Sequence, residues 1–478
     1  MTSKLHIAIV GSGVAGSALA STLLKYANQD AFEIDVYEAA AEIDDVGAGV
    51  TIYGRSFDII AALGEELKDE LERVGDISQS LIFDFMRMDG KEGSGKVVSS
   101  RALGAGCSFH RADFRRAFLT KSLQTAPNLR MHFSKRLASF TRDTTKTELP
   151  ISMTFRDGTT AVADVLLGCD GVRSPIRHGM LDIAATELEQ PELRKLGPAW
   201  FSGWVTHRSI IPMEDLDAEW ARMAPDAGIH RLHTESCLYS GKNAHIISYA
   251  LRHGKEVNIG VFALEPSAMG KAELPLERWV KHCGPEPVLE LLEGWEPEVL
   301  AMARPVKEYQ KWYIHVSGPL PTYVHDQIAL LGDAAHSMTP HNGAGANQAL
   351  EDAYLLGRVL ASPLVTRDTI PLALKAYDTV RRPRGNAAHS KSFDTGSLCN
   401  LTTPDGRDDM DAVSAMLKDN TRLWFVLGKV EDDVQEALAI LSASVKAAEA
   451  SGVSRDGAGT PTVAKTVLEA SVVPGLVA

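Results

Sequence analysis

The chain begins its folded pattern with an unbroken apolar run, Ile7-Ala8-Ile9-Val10, the pattern of a strand buried on both faces. Residues 14–26 then repeat with helical period and set Ala18, Leu19, Leu23 and Leu24 on one side. Residues 32–38 alternate as a second strand and end in Glu38. Strand, helix and strand in that order predict a βαβ unit. Two more short apolar runs, 165–167 and 328–331, read as buried strands, and 346–360 reads as a helix. Between them, 201–208, 245–251 and 257–263 alternate, with turn signals such as Arg252-His253-Gly254-Lys255. That pattern predicts an antiparallel sheet inserted between the two halves of an α/β domain. Residues 275–303 read as helical, with Trp279, Val288, Leu291, Leu292 and Leu300 as core, and 372–395 as a long helix. The tail offers a polar loop at 402–409 and helices at 412–425 and 430–448. Its Ala-, Ser-, Val- and Gly-rich end reads either as loosely packed chain or as an arm onto a second copy in a homodimer.

Composition narrows the class. Of 478 residues, 45% are hydrophobic and 23% charged, which argues against disorder. The net charge of −13 is a poor match for nucleic acid. No run approaches the ~20 apolar residues of a spanning helix, and the N-terminal segment enters a strand without a signal-peptide pattern. The five cysteines are scattered, with no C-x-x-C pair, so no zinc site is expected and free thiols in a reducing, cytoplasmic setting are. Residues 90–96 mimic a Walker A loop, but Val97 stands where a magnesium-binding hydroxyl belongs, and a solvated hairpin turn is the expectation.

Three motifs carry chemistry. Gly11-x-Gly13-x-x-Gly16 links the first strand to the first helix: Gly11 for the tight turn, Gly13 for approach of a pyrophosphate, Gly16 for close packing. The helix N-terminus offers free N–H groups and a positive dipole end. Glu38 stands where a carboxylate accepts from ribose hydroxyls, so FAD or NAD fits better than NADP. Farther on, Gly168-Cys169-Asp170-Gly171 follows a strand, which alone is a common turn. Gly332-Asp333-Ala334-Ala335-His336, Pro340 and Gly343-Ala344-Gly345 lead from a buried strand into a helix.

Together and in this order, the motifs resemble the signature of the group A flavoprotein monooxygenases, the para-hydroxybenzoate hydroxylase superfamily, and most of all its salicylate hydroxylase branch. Gly47-Ala48-Gly49-Val50, His110-Arg111-Ala112-Asp113, Phe201-Ser202-Gly203-Trp204 with Arg208, and Arg381-Arg382-Pro383-Arg384 add to the likeness, which spans 5 to about 395. The resemblance implies a Rossmann-like FAD-binding domain in two parts, 1–190 and 305–395, an inserted substrate domain at 191–304, and a C-terminal helical extension at 396–478. It implies bound FAD, with NADH or NADPH and O2 as co-substrates, and hydroxylation of a small aromatic substrate through a flavin C4a-hydroperoxide. A hydroxybenzoate would lose its carboxyl group in the process. Oxidation or epoxidation of a non-benzoate metabolite is one alternative, and a non-catalytic FAD-binding redox module is another.

By the same likeness, FAD would be held by Gly11, Gly13, Gly16, Glu38, Gly49, Val50, Arg111, Asp170, Gly171, Asp333, Gly343, Gly345 and Ala346. Substrate contacts are expected from Tyr53, Arg55, Trp204 and Tyr249. Pro340, His207 and His341 are the catalytic candidates, the histidines because imidazole titrates near neutrality. Trp204 and His207 lie on one strand, and its alternation lets only one of them face inward. For His336 a structural hydrogen bond explains as much as catalysis does. No metal is called for.

Overall fold

The computed structural model describes residues 4–42, 49–118, 126–265, 279–407, 409–420 and 428–451. Gly47 and Ala48, the end of the helix expected at 412–425, and nearly all of the tail end lie outside the described residues.

The apolar runs of the motifs form the first sheet. β1 (Leu5–Val10) lies at its centre, between β2 (Phe32–Tyr37) and a later strand, β10 (Val165–Gly168). β18 (Ile328–Leu330) follows β10, while β17 (Val324–His325) and β6 (Leu129–His132) close the edges. All neighbours are parallel except β17 and β18. Ile9, Leu166, Leu167, Ile328 and Leu330 have no exposed surface, as both-face burial requires. α1 (Val14–Tyr26) packs on this sheet against a later helix, α4 (Gly345–Leu360), and Leu19, Leu23, Leu350, Leu355 and Val359 share its core.

A second, nine-stranded sheet stands beside it, in the order β15-β16-β11-β14-β13-β12-β4-β5-β3. Its middle is β11 (Trp200–Pro212), β12 (Ser236–Ser240), β13 (Ala244–Leu251) and β14 (Glu256–Leu264). It reaches well beyond 191–304. β3 (Gly49–Tyr53), β4 (Asp76–Arg87) and β5 (Val97–His110) come from before that stretch, and β16 (Tyr309–Val316) from after it. The β12–β4 pairing is parallel, so the sheet is mixed rather than purely antiparallel. The 90–96 segment is the turn of the β4–β5 hairpin, with Gly90, Gly93 and Gly95 at positive φ. A small three-stranded sheet, β7 (Leu137–Arg142), β8 (Ile151–Phe155) and β9 (Thr160–Ala163), completes the β structure.

The helix expected over 275–303 needs correction. Val280–Cys283 is an edge strand, β15, paired with β16, and only Glu286–Leu291 and Pro297–Ala303 are helical. Trp279 stacks on His315 with centroids 3.7 Å apart, which holds this segment to the sheet edge.

Further helices surround the two sheets. Among them are α2 (Arg55–Leu63), α3 (Arg111–Phe118), the long α5 (Ile370–Cys399), α6 (Met410–Asn420) and α7 (Val430–Ala450). α7 buries Val434, Ala437 and Leu441 in the core of the first sheet.

Candidate active site

The first motif is built as its glycines require. Gly11 has φ +97, and a Cβ there would stand 2.3 Å from the Cys169 carbonyl oxygen. A Cβ on Gly16 would meet the Gly11 carbonyl oxygen at 1.9 Å. Gly13 has nothing within 4 Å of its Cβ position, so the chain is open where a pyrophosphate would approach. No side chain caps α1, and its first N–H groups stay available to an anion. The Glu38 carboxylate accepts from the Ser12 amide at 3.0 Å, the Ser12 hydroxyl at 2.6 Å and the Ala40 amide at 2.9 Å. Burial would raise its pKa, but these bonds and Arg115 outweigh burial and hold it below the ordinary value.

The second motif places Asp170 between Cys169 and Gly171, at the mouth of β10. Burial raises its pKa to about 6, against hydrogen bonds from Ser174 and the Ile176 amide, and its Oδ1 has no partner. In the third motif, Gly332 (φ +57) turns the chain after β18, and its N–H donates to Asp352 at 2.9 Å. His336 bonds the same carboxylate oxygen at 2.6 Å, so His336 braces the turn from behind. Gly343 (φ +61) then leads into α4, whose first turn has no side-chain cap.

These three turns meet around one cavity of about 350 Å³. Gly13, Gly49, Val50, Arg111, Gly171, Asp333, Gly343, Gly345 and Ala346 line it. Gly11, Gly16, Glu38 and Asp170 do not; the two glycines make the close backbone contacts beneath it. An open glycine turn and two uncapped helix N-termini form a donor set that fits a flavin dinucleotide laid along the groove.

The far end of the cavity is walled by the nine-stranded sheet. Tyr249, Asn258 and Arg208 face it, together with Phe83, Phe85, Leu103, Leu238, Ile247 and Phe262. Tyr249 stands over Gly49, whose Cβ position is 2.4 Å from the phenol oxygen. Its pKa is raised to about 12 by burial, against Arg208 and a hydrogen bond with Thr51. Burial lowers the pKa of Arg208, which makes no ion pair among the described residues. Tyr53 also lines the cavity and donates to the Asn342 carbonyl at 2.8 Å. A second cavity of about 460 Å³ opens beyond Arg208 and shares Arg111, Arg208, Asp333, Met338 and Pro340 with the first. Trp279, Trp312, Tyr313 and His315 add aromatic walls to it.

Pro340 and His341 line the first cavity. His341 Nδ1 lies 3.1 Å from His245 Nε2, and His245 Nδ1 lies 2.7 Å from Asn400 Oδ1. The amide oxygen accepts, which makes His245 a donor at Nδ1 and His341 a donor toward His245. Burial, with His245 nearby, drives the His341 pKa well down, and burial takes His245 to about 4. Both rings are neutral near pH 7. His341 Nε2 packs against Gly396 of α5, where a Cβ would come within 2.7 Å.

Three expected positions are corrected. Arg55 does not line either cavity. Its guanidinium is buried between Glu351 and Asp433, a partner 378 positions away in sequence. Trp204 sits behind the wall, edge-on to His341 with centroids 4.4 Å apart. A register shift between Phe201 and Val205, at Gly203 (φ +83), turns this part of β11. His207 lies on the other face of β11 from Thr206 and Arg208, against Tyr309, and burial beside Lys311 lowers its pKa to about 4. It is not placed to exchange a proton with a ligand in the cavity. Sequence reasoning had named Arg208 only as part of a motif and passed over Phe83, Phe85 and Leu103. The period-2 run Leu81, Phe83, Phe85 was the available signal.

No helix among the described residues is long and apolar enough to cross a membrane. The family described as an FAD binding domain matches residues 4–189 and 298–392. A salicylate hydroxylase of Pseudomonas putida is 31% identical, over 84% of this chain and 87% of that one. A 6-methylsalicylate 1-monooxygenase of Aspergillus terreus is 29% identical, over 82% of each. A solved salicylate hydroxylase substrate complex superposes with a TM-score of 0.76 at 27% identity, over 91% of this chain and 98% of the other. Family match, relatives and the shared cradle of three turns agree: the chain belongs to the FAD-binding, flavin-dependent monooxygenases of the salicylate hydroxylase type.

Proposed function

We propose that the protein hydroxylates an aromatic acid or phenol at the expense of NAD(P)H and O2, with Arg208 binding the anionic group of the substrate. One observation carries this reading: a half-buried guanidinium that makes no ion pair among the described residues borders both the flavin groove and an apolar chamber. A partly desolvated cation in that state favours an anion as its partner.

When bound, FAD supplies the redox chemistry, taking a hydride from the nicotinamide and activating oxygen. Gly11, Gly13, Gly16 and the start of α1 would hold its pyrophosphate, Glu38 its ribose, and Asp333 its ribitol. The N-terminus of α4 is a fixed positive end for negative charge on the reduced ring. Arg208 orients the substrate. Tyr249, kept protonated by a pKa of about 12, is a hydrogen-bond donor beside it. Phe83, Phe85, Leu238, Ile247 and Phe262 exclude water from the reacting ring. The second cavity, with Arg111 and Arg208 at its border and aromatic walls, suits the visiting nicotinamide. With a 2-hydroxybenzoate, oxygen insertion at the carboxyl-bearing carbon, with uptake of one proton, releases CO2 and leaves a catechol, while NAD(P)H and a second proton reduce the other oxygen atom to water.

The test is a panel of phenols and benzoates, with and without a carboxyl group, given to the FAD-loaded protein. NADH and NADPH oxidation are followed alongside product mass. The reading requires a phenol or phenolic acid that raises nicotinamide consumption and returns a matching amount of hydroxylated product. Stimulation by non-phenolic, non-acidic compounds alone refutes it.

A further inference from the structure

We infer that the substrate carries an apolar substituent on the side of its ring away from its acidic group. This deepens the reading above and rests on it. The inference comes from the sheet register. Arg208 on β11 stands opposite Gly260 on β14, Gly260 opposite Ile247 on β13, Ile247 opposite Leu238 on β12, and Leu238 opposite Phe85 on β4. All five line the first cavity. They form a single row across five adjacent strands that runs from a cation, over a bare glycine, to three apolar side chains.

The neighbouring row repeats the gradient. Asn258 and Tyr249 face each other near the Arg208 end, and Phe83 lies on β4 at the other. Leu103 adds to that far pole. Phe85 and Leu238 are themselves backed by Leu398 and Cys399 at the end of α5 and by Val413 and Leu417 of α6. The helical extension therefore closes the far pole with hydrocarbon.

Strands lie about 4.8 Å apart, so Arg208 is separated from Leu238 by ~14 Å and from Phe85 by ~19 Å along the row. A single ring with its acid on Arg208 covers about two strand spacings, ~10 Å, which takes it over Gly260 to Ile247. Leu238, Phe85 and Leu103, themselves buried, and the half-buried Phe83 line the cavity beyond that reach, and only a ligand that continues meets them. An aromatic acid or phenol with a short alkyl chain or a second apolar ring fills both poles. A bare salicylate fills one.

The experiment uses the FAD-loaded protein and 2-hydroxybenzoates bearing hydrogen, methyl, propyl or pentyl at ring position 4 or 5. Binding is read from flavin fluorescence and turnover from product formation. Kd falls roughly fourfold for each of the first methylenes in one of the two series. A Kd that is flat or rises with tail length in both series overturns the inference. The second arm fills the far pole with Leu238→Trp. The ratio of pentyl to unsubstituted Kd then rises at least tenfold, and an unchanged ratio also overturns the inference. Turnover of the bare acid with refusal of every tailed one sinks this inference alone. No response to any acid or phenol, tailed or bare, sinks the functional reading and this one with it.

Discussion

Asp433→Asn tests how the C-terminal helix is tied to the flavin site. Asp433 lies on α7 and receives the guanidinium of Arg55 from α2 and that of Arg384 from α5, the latter at 2.6 Å. Arg55 also reaches Glu351 of α4 at 3.2 Å, and Glu351 is held by Arg381 at 2.8 Å. The side chains of Arg55 and Asp433 are 2% and 5% exposed and that of Glu351 is 0% exposed, so water cannot compensate a missing partner. With the carboxylate gone, Arg55 is left with Glu351, which it shares with Arg381, and Arg384 loses its contact to α7. Breaking a buried pair from one side costs about 3–5 kcal/mol. Part of that is relieved by the outer position of Arg384, so ~3 kcal/mol is expected. For a chain of this size that is a fall of about 3 °C in the melting temperature of the loaded protein. Because Glu351 sits on α4, whose N-terminus borders the flavin groove, retention of FAD on dilution should fall with it. Glu431→Gln is the control. It lies two positions earlier on the same helix but pairs with Arg358 at a 43% exposed position, where an ion pair is worth ~1 kcal/mol or less. If Asp433→Asn and Glu431→Gln melt within about 1 °C of each other, the buried network does not bind α7 to the site.

Three more outcomes follow from the geometry. Gly16→Ala drives a methyl into the Gly11 carbonyl at 1.9 Å and should yield protein without flavin absorbance; retained yellow colour counts against the pyrophosphate site. Arg208→Met should raise KM for a carboxylated or phenolate substrate by ~100-fold, while flavin content stays at the wild-type level, and equal losses with uncharged aromatics would remove Arg208 from anion binding. Asp170 has its pKa raised by burial from 3.8 to about 6, so the folded state binds the proton more tightly than the unfolded one. Its contribution to stability is therefore present below pH 4 and is lost as pH rises through 6. Asp170→Asn should flatten that part of the melting-temperature profile, and an unaltered slope between pH 4 and 6 would reject the assignment.

What could be read from the chain depended on how local its cause was. β1, β10 and β18 announce themselves because burial on both faces leaves unbroken apolar runs such as Ile7 to Val10 and Ile328 to Leu331. The glycines of the three turns were legible from their spacing beside those runs, although the atom that crowds Gly11 is the Cys169 carbonyl oxygen far along the chain. Arg55 was not, because its environment is made by Asp433 and Glu351 far along the chain. Val280 to Cys283 carries no strong period of its own and becomes a strand only because Tyr309 to Trp312 offer an edge to pair with. The facing of β11 was half legible. Alternation separates His207 from Arg208, but the register shift near Gly203 that turns Trp204 behind the wall leaves no mark in a pattern of period two.

The pairing of β12 with β4 has a consequence for synthesis of the chain. Phe83 to Arg87 emerge from the ribosome about 150 residues before their partners Ser236 to Ser240. Until those arrive, one side of β4 is an open row of amide donors and acceptors beside Phe83 and Phe85, a template for pairing with another nascent chain. A fragment that stops short of β12 should precipitate even though it contains two of the three glycine turns, and the second sheet cannot be moved between proteins by transplanting a single continuous cassette.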